Sequence, residues 1–171
     1  MNFEKTIIDG VFIITTEPFI DERGFFERIY CKKEFSNIVD PKEFVQFNHS
    51  FTKEKGTIRG LHYQLPPKKE RKIVKCIRGK IFDVVVDVRA NSPTYFQWIA
   101  VELSDKNRKM IYIPEGCAHG FQTLVNNCEL IYFHTQYYCK ELEKSIFYND
   151  LKLNIGWPMT VTKISEKDLN A

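Results

Sequence analysis

Short apolar runs recur along the chain, separated by polar or glycine-bearing breaks. They fall at residues 11–16, 25–30, 44–51, 57–64, 72–77, 80–89, 97–103, 110–113, 120–125 and 128–138. Runs this short, at this spacing, predict the strands of an all-β sandwich or barrel. Helix is expected only over residues 32–37 and in a piece near the C-terminus. No internal repeat, low-complexity tract or Pro/Gly/Ser-rich linker divides the chain, so one domain spanning residues 1–171 is expected.

Two of these runs can be read face by face. Over residues 80–89, Phe82, Val84, Val86 and Val88 share one side, and Ile81, Asp83, Val85 and Asp87 share the other. A side that mixes carboxylates with aliphatics fits a polar pocket inside a barrel, and equally a solvent-facing surface. Over residues 128–138, Leu130, Tyr132, His134, Gln136 and Tyr138 point one way, and Ile131, Phe133, Thr135 and Tyr137 the other. Tyr132 and Tyr138 are then roughly 20 Å apart along a straight strand, comparable to an extended nucleotide sugar.

Composition narrows the function classes. Fourteen Phe and eight Tyr against eight Gly favour strands over a helical bundle. A net charge of +3 allows an anionic ligand but lacks a nucleic-acid footprint. The densest basic cluster, Lys68, Lys69, Arg71 and Lys72, reads as a solvated loop. No run approaches the ~20 apolar residues of a membrane span. Residues 1–6 lack the order of a secretion signal. Five cysteines, odd in number and without a CxxC pair, read as reduced thiols of a cytoplasmic protein.

Two segments carry candidate chemistry. Thr57-Ile-Arg-Gly-Leu-His-Tyr-Gln64 sets an arginine and a histidine in one apolar strand. Strict alternation sends Arg59 and His62 to opposite faces, but Gly60 marks a bulge or close backbone approach that can bring both to one site. Ile113-Pro-Glu-Gly-Cys-Ala-His-Gly-Phe121 contains P-x-G-x-x-H, which resembles the second motif of the cupin superfamily of small β-barrels. In the first cupin motif, H-x-H, this chain has His62-Tyr-Gln64, so one expected metal ligand is replaced. His62 and His119 alone do not complete a three-ligand metal site; His49 and His134 are the only other histidines, and Gln64 and Glu70 are the substitutes on offer. An imidazole free of metal can act as a base near neutral pH.

Read together, Asp21-Glu-Arg-Gly-Phe-Phe-Glu27, Gln46-Phe-Asn-His-Ser50, Arg59-Gly-Leu-His-Tyr-Gln64, Phe82-Asp-Val-Val-Val-Asp-Val-Arg89, Ser92-Pro-Thr94, the Ile113-to-Phe121 segment and Gly156-Trp-Pro158 resemble the dTDP-4-dehydrorhamnose 3,5-epimerase family, in family order. Phe47 stands where an acidic residue is common, and Cys139 where proline is common. The resemblance implies a cupin-type double-stranded β-helix, or jelly-roll barrel, with short peripheral helices. It implies a homodimer with N-terminal strands at the interface, a nucleotide-sugar substrate, and no cofactor, metal, nucleic-acid or membrane partner. The implied reaction inverts C3 and C5 of dTDP-4-keto-6-deoxy-D-glucose.

The resemblance also implies roles. His62 is the base, Tyr132 the acid, Asp168 the group that orients His62, and Lys72 the stabiliser of the enolate, with Asp83 in the same pocket. Arg59 is implied to hold the pyrophosphate, and Arg23, Glu27, Gln46 and Asn48 the nucleotide. His119 meets the sugar, Tyr138 stacks on thymine, and Glu143 and Lys167 complete the pocket. Rival readings are a C3-only or C5-only epimerase on a related sugar, a metal-dependent cupin isomerase or dioxygenase, and a non-catalytic binding barrel.

Overall fold

A computed structural model describes residues 1–40 and 42–171. In chain order its elements are β1 (Asn2–Lys5), β2 (Phe12–Thr15), β3 (Phe19–Asp21), β4 (Gly24–Phe26), α1 (Lys32–Phe35), β5 (Gln46–Thr52), β6 (Ile58–Gln64), β7 (Lys72–Arg78), β8 (Lys80–Asp87), β9 (Trp98–Ser104), β10 (Lys109–Ile113), β11 (Cys117–Thr123), β12 (Cys128–His134), β13 (Glu143–Ser145) and α2 (Glu166–Leu169). The expected strands are present, together with β1, β3 and β13, which the apolar pattern did not mark.

Six strands form one antiparallel sheet in the order β1-β2-β10-β7-β12-β5, and five form a second in the order β13-β6-β11-β8-β9. Apolar side chains of both sheets meet between them: Val74, Cys76, Ile111 and Leu130 from the first, Ile81, Val85, Leu103 and Phe121 from the second. Each sheet is also covered outside. Phe35, Tyr30 and Phe44 pack over Ile73, Tyr112 and Phe133. Leu153, Ile155 and Trp157 pack over Leu61, Val84 and Val86. A strand buried on both faces needs apolar residues at nearly every position, which is why β8 is Val-rich throughout.

That packing decides the question left open for β8. Ile81, Asp83 and Val85 face the other sheet, while Phe82, Val84 and Val86 face the C-terminal segment. Asp83 and Asp87 are both buried, so the carboxylate-bearing side is interior.

Three local expectations change. Strand β12 ends at His134, so Gln136 and Tyr138 are beyond it; alternation persists in the sequence although the ladder does not. Strand β11 begins at Cys117, directly after the Gly116 turn, whose φ is +78°. Lys72 is not in a solvated loop: it opens β7 and is buried, whereas Lys68 and Lys69 are not.

Candidate active site

The bulge expected at Gly60 is present. In the β6–β11 ladder His62 pairs with His119 and Arg59 with Phe121, so Gly60 and Leu61 together oppose Gly120 alone. The extra residue restores one face to Arg59 and His62. Both glycines are required there. A Cβ on Gly60, whose φ is +112°, would stand 2.5 Å from the Gly120 Cα, and a Cβ on Gly120 2.7 Å from the Arg59 carbonyl oxygen.

Arg59 and His62 thus turn into a cavity of about 540 Å³ between the sheets. The five-stranded sheet supplies Arg59, His62 and His119; β5, β7 and β12 of the other sheet supply Gln46, Asn48, Ser50, Lys72, Tyr132 and His134. Tyr138, Glu143, Lys167 and Asp168 line it as well. His62 and Tyr132 therefore face one cavity from opposite sheets.

The C-terminal helix closes the site around His62. Ser165 caps α2 by accepting the Asp168 N–H, and this turn brings Asp168 beneath β6. Its Oδ1 is 2.7 Å from His62 Nε2, and its Oδ2 accepts the Gly60 N–H at 3.2 Å. Burial alone raises a carboxyl pKa, but the hydrogen bonds from His62, Gly60 and Ser165 outweigh it and hold Asp168 below its ordinary value. A carboxylate only accepts, so Nε2 of His62 carries the proton and Nδ1 has the free lone pair. Nδ1 is 3.9 Å from Glu143 Oε1. Glu143 also accepts from the Tyr138 hydroxyl at 2.9 Å and pairs with Lys167. Burial opposes ionisation of Glu143, yet Lys167, Tyr138 and His62 bring its pKa below normal.

Across the cavity, the Tyr132 hydroxyl is 3.2 Å from Ser50 Oγ. Burial pushes its pKa well up, and the Ser50 hydrogen bond offsets only part of that. It is a neutral phenol, able to give a proton. Arg59 is aimed by Thr52, which accepts from Nε at 3.0 Å, and by the Phe51 carbonyl, which accepts from Nη2 at 3.1 Å. Asp83 does not line the cavity. It stands behind His119, with Oδ2 2.8 Å from Nε2, and so reaches the site only through that ring.

Besides Asp83, the expected site residues Arg23 and Glu27 are not brought to the cavity by one chain. Arg23 is 84% exposed on the β3–β4 hairpin, paired with Asp21. Glu27 is held by Lys75 Nζ at 3.1 Å and by the Thr16 hydroxyl. Sequence reasoning in turn gave no role to Ser50 and weighed Glu70 and His134 only as further metal ligands, yet all three line the cavity. Alternation did place His134 on the Tyr132 side. Among the described residues no group of three or more His, Cys, Asp or Glu is arranged to hold a metal ion. The two histidines of the cupin motifs each spend Nε2 on a carboxylate.

An imidazole beside a carboxylate, a phenol on the opposite wall and a buried ammonium are groups able to exchange protons. The family model described as dTDP-4-dehydrorhamnose 3,5-epimerase matches residues 5–171. The chain belongs to that family. It is 45% identical over 171 residues to the dTDP-4-dehydrorhamnose 3,5-epimerase of Shigella flexneri, covering 99% of this chain and 94% of that one. The crystal structure of the family's Bacillus anthracis enzyme, with TDP and PPi bound, superposes with a TM-score of 0.95 at 38% identity, covering 98% and 96% of the two chains. The dTDP-6-deoxy-D-glucose-3,5-epimerase of Legionella pneumophila, in complex with dTDP-4-keto-L-rhamnose, gives 0.94 at 41% identity, covering 99% and 90%. As in those epimerases, the fold is the cupin-type β-barrel.

Proposed function

We infer that this protein is an isomerase that inverts C3 and C5 of dTDP-4-keto-6-deoxy-D-glucose to give dTDP-4-keto-L-rhamnose. The observation that carries this is the placement of His62 and Tyr132 on opposing walls of one cavity, in a chain of this family. Both carbons flank a ketone, so removal of either proton leaves an enolate whose charge rests on the C4 oxygen. His62 Nδ1 takes the proton, and Asp168 stabilises the imidazolium that results. Lys72 meets the charge developing on oxygen. Tyr132 then protonates the carbon from the other face, which inverts the centre; once His62 has passed its proton to solvent and the Tyr132 phenolate has taken one back, the sequence repeats at the second carbon.

Arg59 presents a guanidinium fork to the diphosphate. Gln46 and Asn48 contact the nucleotide, Tyr138 stacks on the base, His119 meets the sugar backed by Asp83, and Glu143 and Lys167 complete the wall. Incubation with substrate in heavy water is the test. Deuterium at both C3 and C5 of the product supports the reading; deuterium at one centre means a single epimerase, and none sinks it. Arg59→Ala should raise KM while leaving kcat nearly unchanged.

The working unit proposed is a homodimer of single-domain chains, residues 1–171. Phe19, Ile20, Phe25 and Phe26 leave the β3–β4 hairpin strongly apolar and exposed, as do Phe47 and Phe51 on the outer side of edge strand β5. Patches like these mark interaction surfaces. A hairpin crossing to a second copy would carry Arg23, and Glu27 beside it, to the neighbour's nucleotide. Mixing inactive Arg23→Ala and His62→Ala proteins should then restore part of the activity; no recovery after subunit exchange would refute the shared site. The cytoplasm is the proposed compartment, supported by five free cysteines, three of them buried. No helix among the described residues is long and apolar enough to cross a membrane.

A further inference from the structure

Two polar groups of the cavity wall, the partly buried Glu70 and the buried His134, have no part in the chemistry above. Glu70 Oε1 takes the Lys72 ammonium at 2.9 Å, and Oε2 lies 2.7 Å from His134 Nδ1. His134 Nε2 is 3.3 Å from Asn48 Nδ2. An amide nitrogen only donates, so Nε2 accepts, and Nδ1 carries the proton it gives to Glu70. The Asn48 amide is oriented in turn, because its Oδ1 accepts from Gln46 Nε2 at 3.3 Å, while Gln46 Oε1 accepts the Tyr138 N–H at 3.1 Å. Each link has one sense. The chain runs from the exposed end of the cavity at Tyr138 to the ammonium of Lys72.

Glu70 is thereby clamped at both oxygens. Burial works against its ionisation, but the His134 hydrogen bond and the Lys72 charge win and hold its pKa below the ordinary value. So strong an acid is a poor base near neutral pH, which leaves it an electrostatic and geometric part. A flexible four-carbon ammonium is a mobile charge unless something fixes it. The catalytic value of such a charge depends on its being in place before the transition state forms.

We propose that Glu70 is the positioning residue of Lys72, locked by a neutral His134, so that a chain from the nucleotide-facing amides sets the ammonium where the enolate oxygen forms. This rests on the reading of Lys72 given above. It predicts that Glu70 governs turnover without governing nucleotide affinity.

The test compares wild type, Glu70→Gln, Glu70→Asp and Lys72→Met for kcat, KM and dTDP affinity by calorimetry. Glu70→Gln should lower kcat by about 10- to 100-fold, the usual reach of a residue acting through another. dTDP affinity and the number of binding sites should remain at the wild-type value. Glu70→Asp, which keeps the charge one methylene short, should recover part of the loss; it also serves if Glu70→Gln does not fold. Wild-type kcat in Glu70→Gln beside an impaired Lys72→Met overturns the proposal and spares the Lys72 role. Loss of dTDP binding in step with kcat makes Glu70 merely structural and also overturns it. A fully active Lys72→Met overturns the Lys72 reading and this one with it, whereas an inert wild type removes the epimerase reading.

Discussion

Two histidines of the cavity wall are each paired with an aspartate, and the hydrogen bonds are nearly the same length: 2.7 Å for His62–Asp168 and 2.8 Å for His119–Asp83. Their surroundings differ. His62 is 30% exposed, and its carboxylate has further donors in the Gly60 N–H and, through the α2 cap, the Ser165 turn. His119 and Asp83 are both buried, and Asp83 Oδ1 has no hydrogen-bond partner among the described residues. The outcome is opposite in sign. Hydrogen-bond donors hold Asp168 below its ordinary pKa despite burial; burial drives Asp83 above its own, and His119 and Lys72 only partly offset that. A ring set against a firm anion, with its second nitrogen open to the cavity, is equipped to move protons. A ring against a carboxyl that resists ionising is equipped to hold shape.

Removing each member in turn grades that difference. His62→Ala should give the largest effect, a fall in kcat of about 10²- to 10⁴-fold with dTDP binding kept, measured by steady-state kinetics and calorimetry. Wild-type turnover in this variant would end the base assignment. Asp168→Asn should follow, since an amide cannot stabilise the imidazolium; kcat should drop about 10²-fold. It should also cost about 1–3 kcal/mol of stability at neutral pH, because Gly60 and His62 lose a charged partner. The folded-state pKa of Asp168 is depressed, so its stabilisation is present above the unfolded value and is lost as pH falls through the folded one. The deficit of Asp168→Asn in melting temperature should therefore shrink below about pH 4. His119→Gln should do less, about tenfold in kcat/KM, because it retains a donor toward Asp83 while losing the ring.

What the amino-acid pattern could disclose divides along the same line. Alternation in residues 80–87 separated Asp83 from Phe82, and a single glycine announced the turn of Arg59 toward His62; both are local properties of one strand. The pairing of His62 with Asp168 spans 106 residues. Only family resemblance connected them, because a cap at Ser165 and one turn of helix carry no mark of the strand they dock on. Strand β13 was missed for a similar reason. Glu143, Lys144 and Ser145 have no strand signature, and they pair with β6 because the chain returns along its open edge. The Glu70–His134 contact joins a residue ahead of β7 to the last residue of β12, and it exists only because His134 and Lys72 are register partners. Lys72 illustrates the converse error. Four neighbouring cations suggested a solvated loop, yet the strand begins inside the cluster and turns the last of them inward.

Asp83→Asn should perturb activity least, and it tests the contrast most directly. Burial disfavours the charged form of Asp83, so an uncharged amide is the replacement its surroundings tolerate best, and kcat should stay within about threefold of wild type. The decisive reading is the pH dependence of stability. A raised folded pKa means that the unfolded chain ionises first as pH rises, so the folded state then binds more protons and stability falls. That loss begins near the ordinary carboxylate value of about 4 and continues until the folded carboxyl itself ionises. Asp83→Asn has no such titration. Its melting temperature should therefore gain on wild type as pH is raised above about 4, where the deficit of Asp168→Asn has already reached its full size and stays constant. If Asp83→Asn instead holds a constant deficit above about pH 4 that shrinks below it, as Asp168→Asn should, the buried pair holds a stabilised anion after all, and the distinction between the two histidines loses its physical basis.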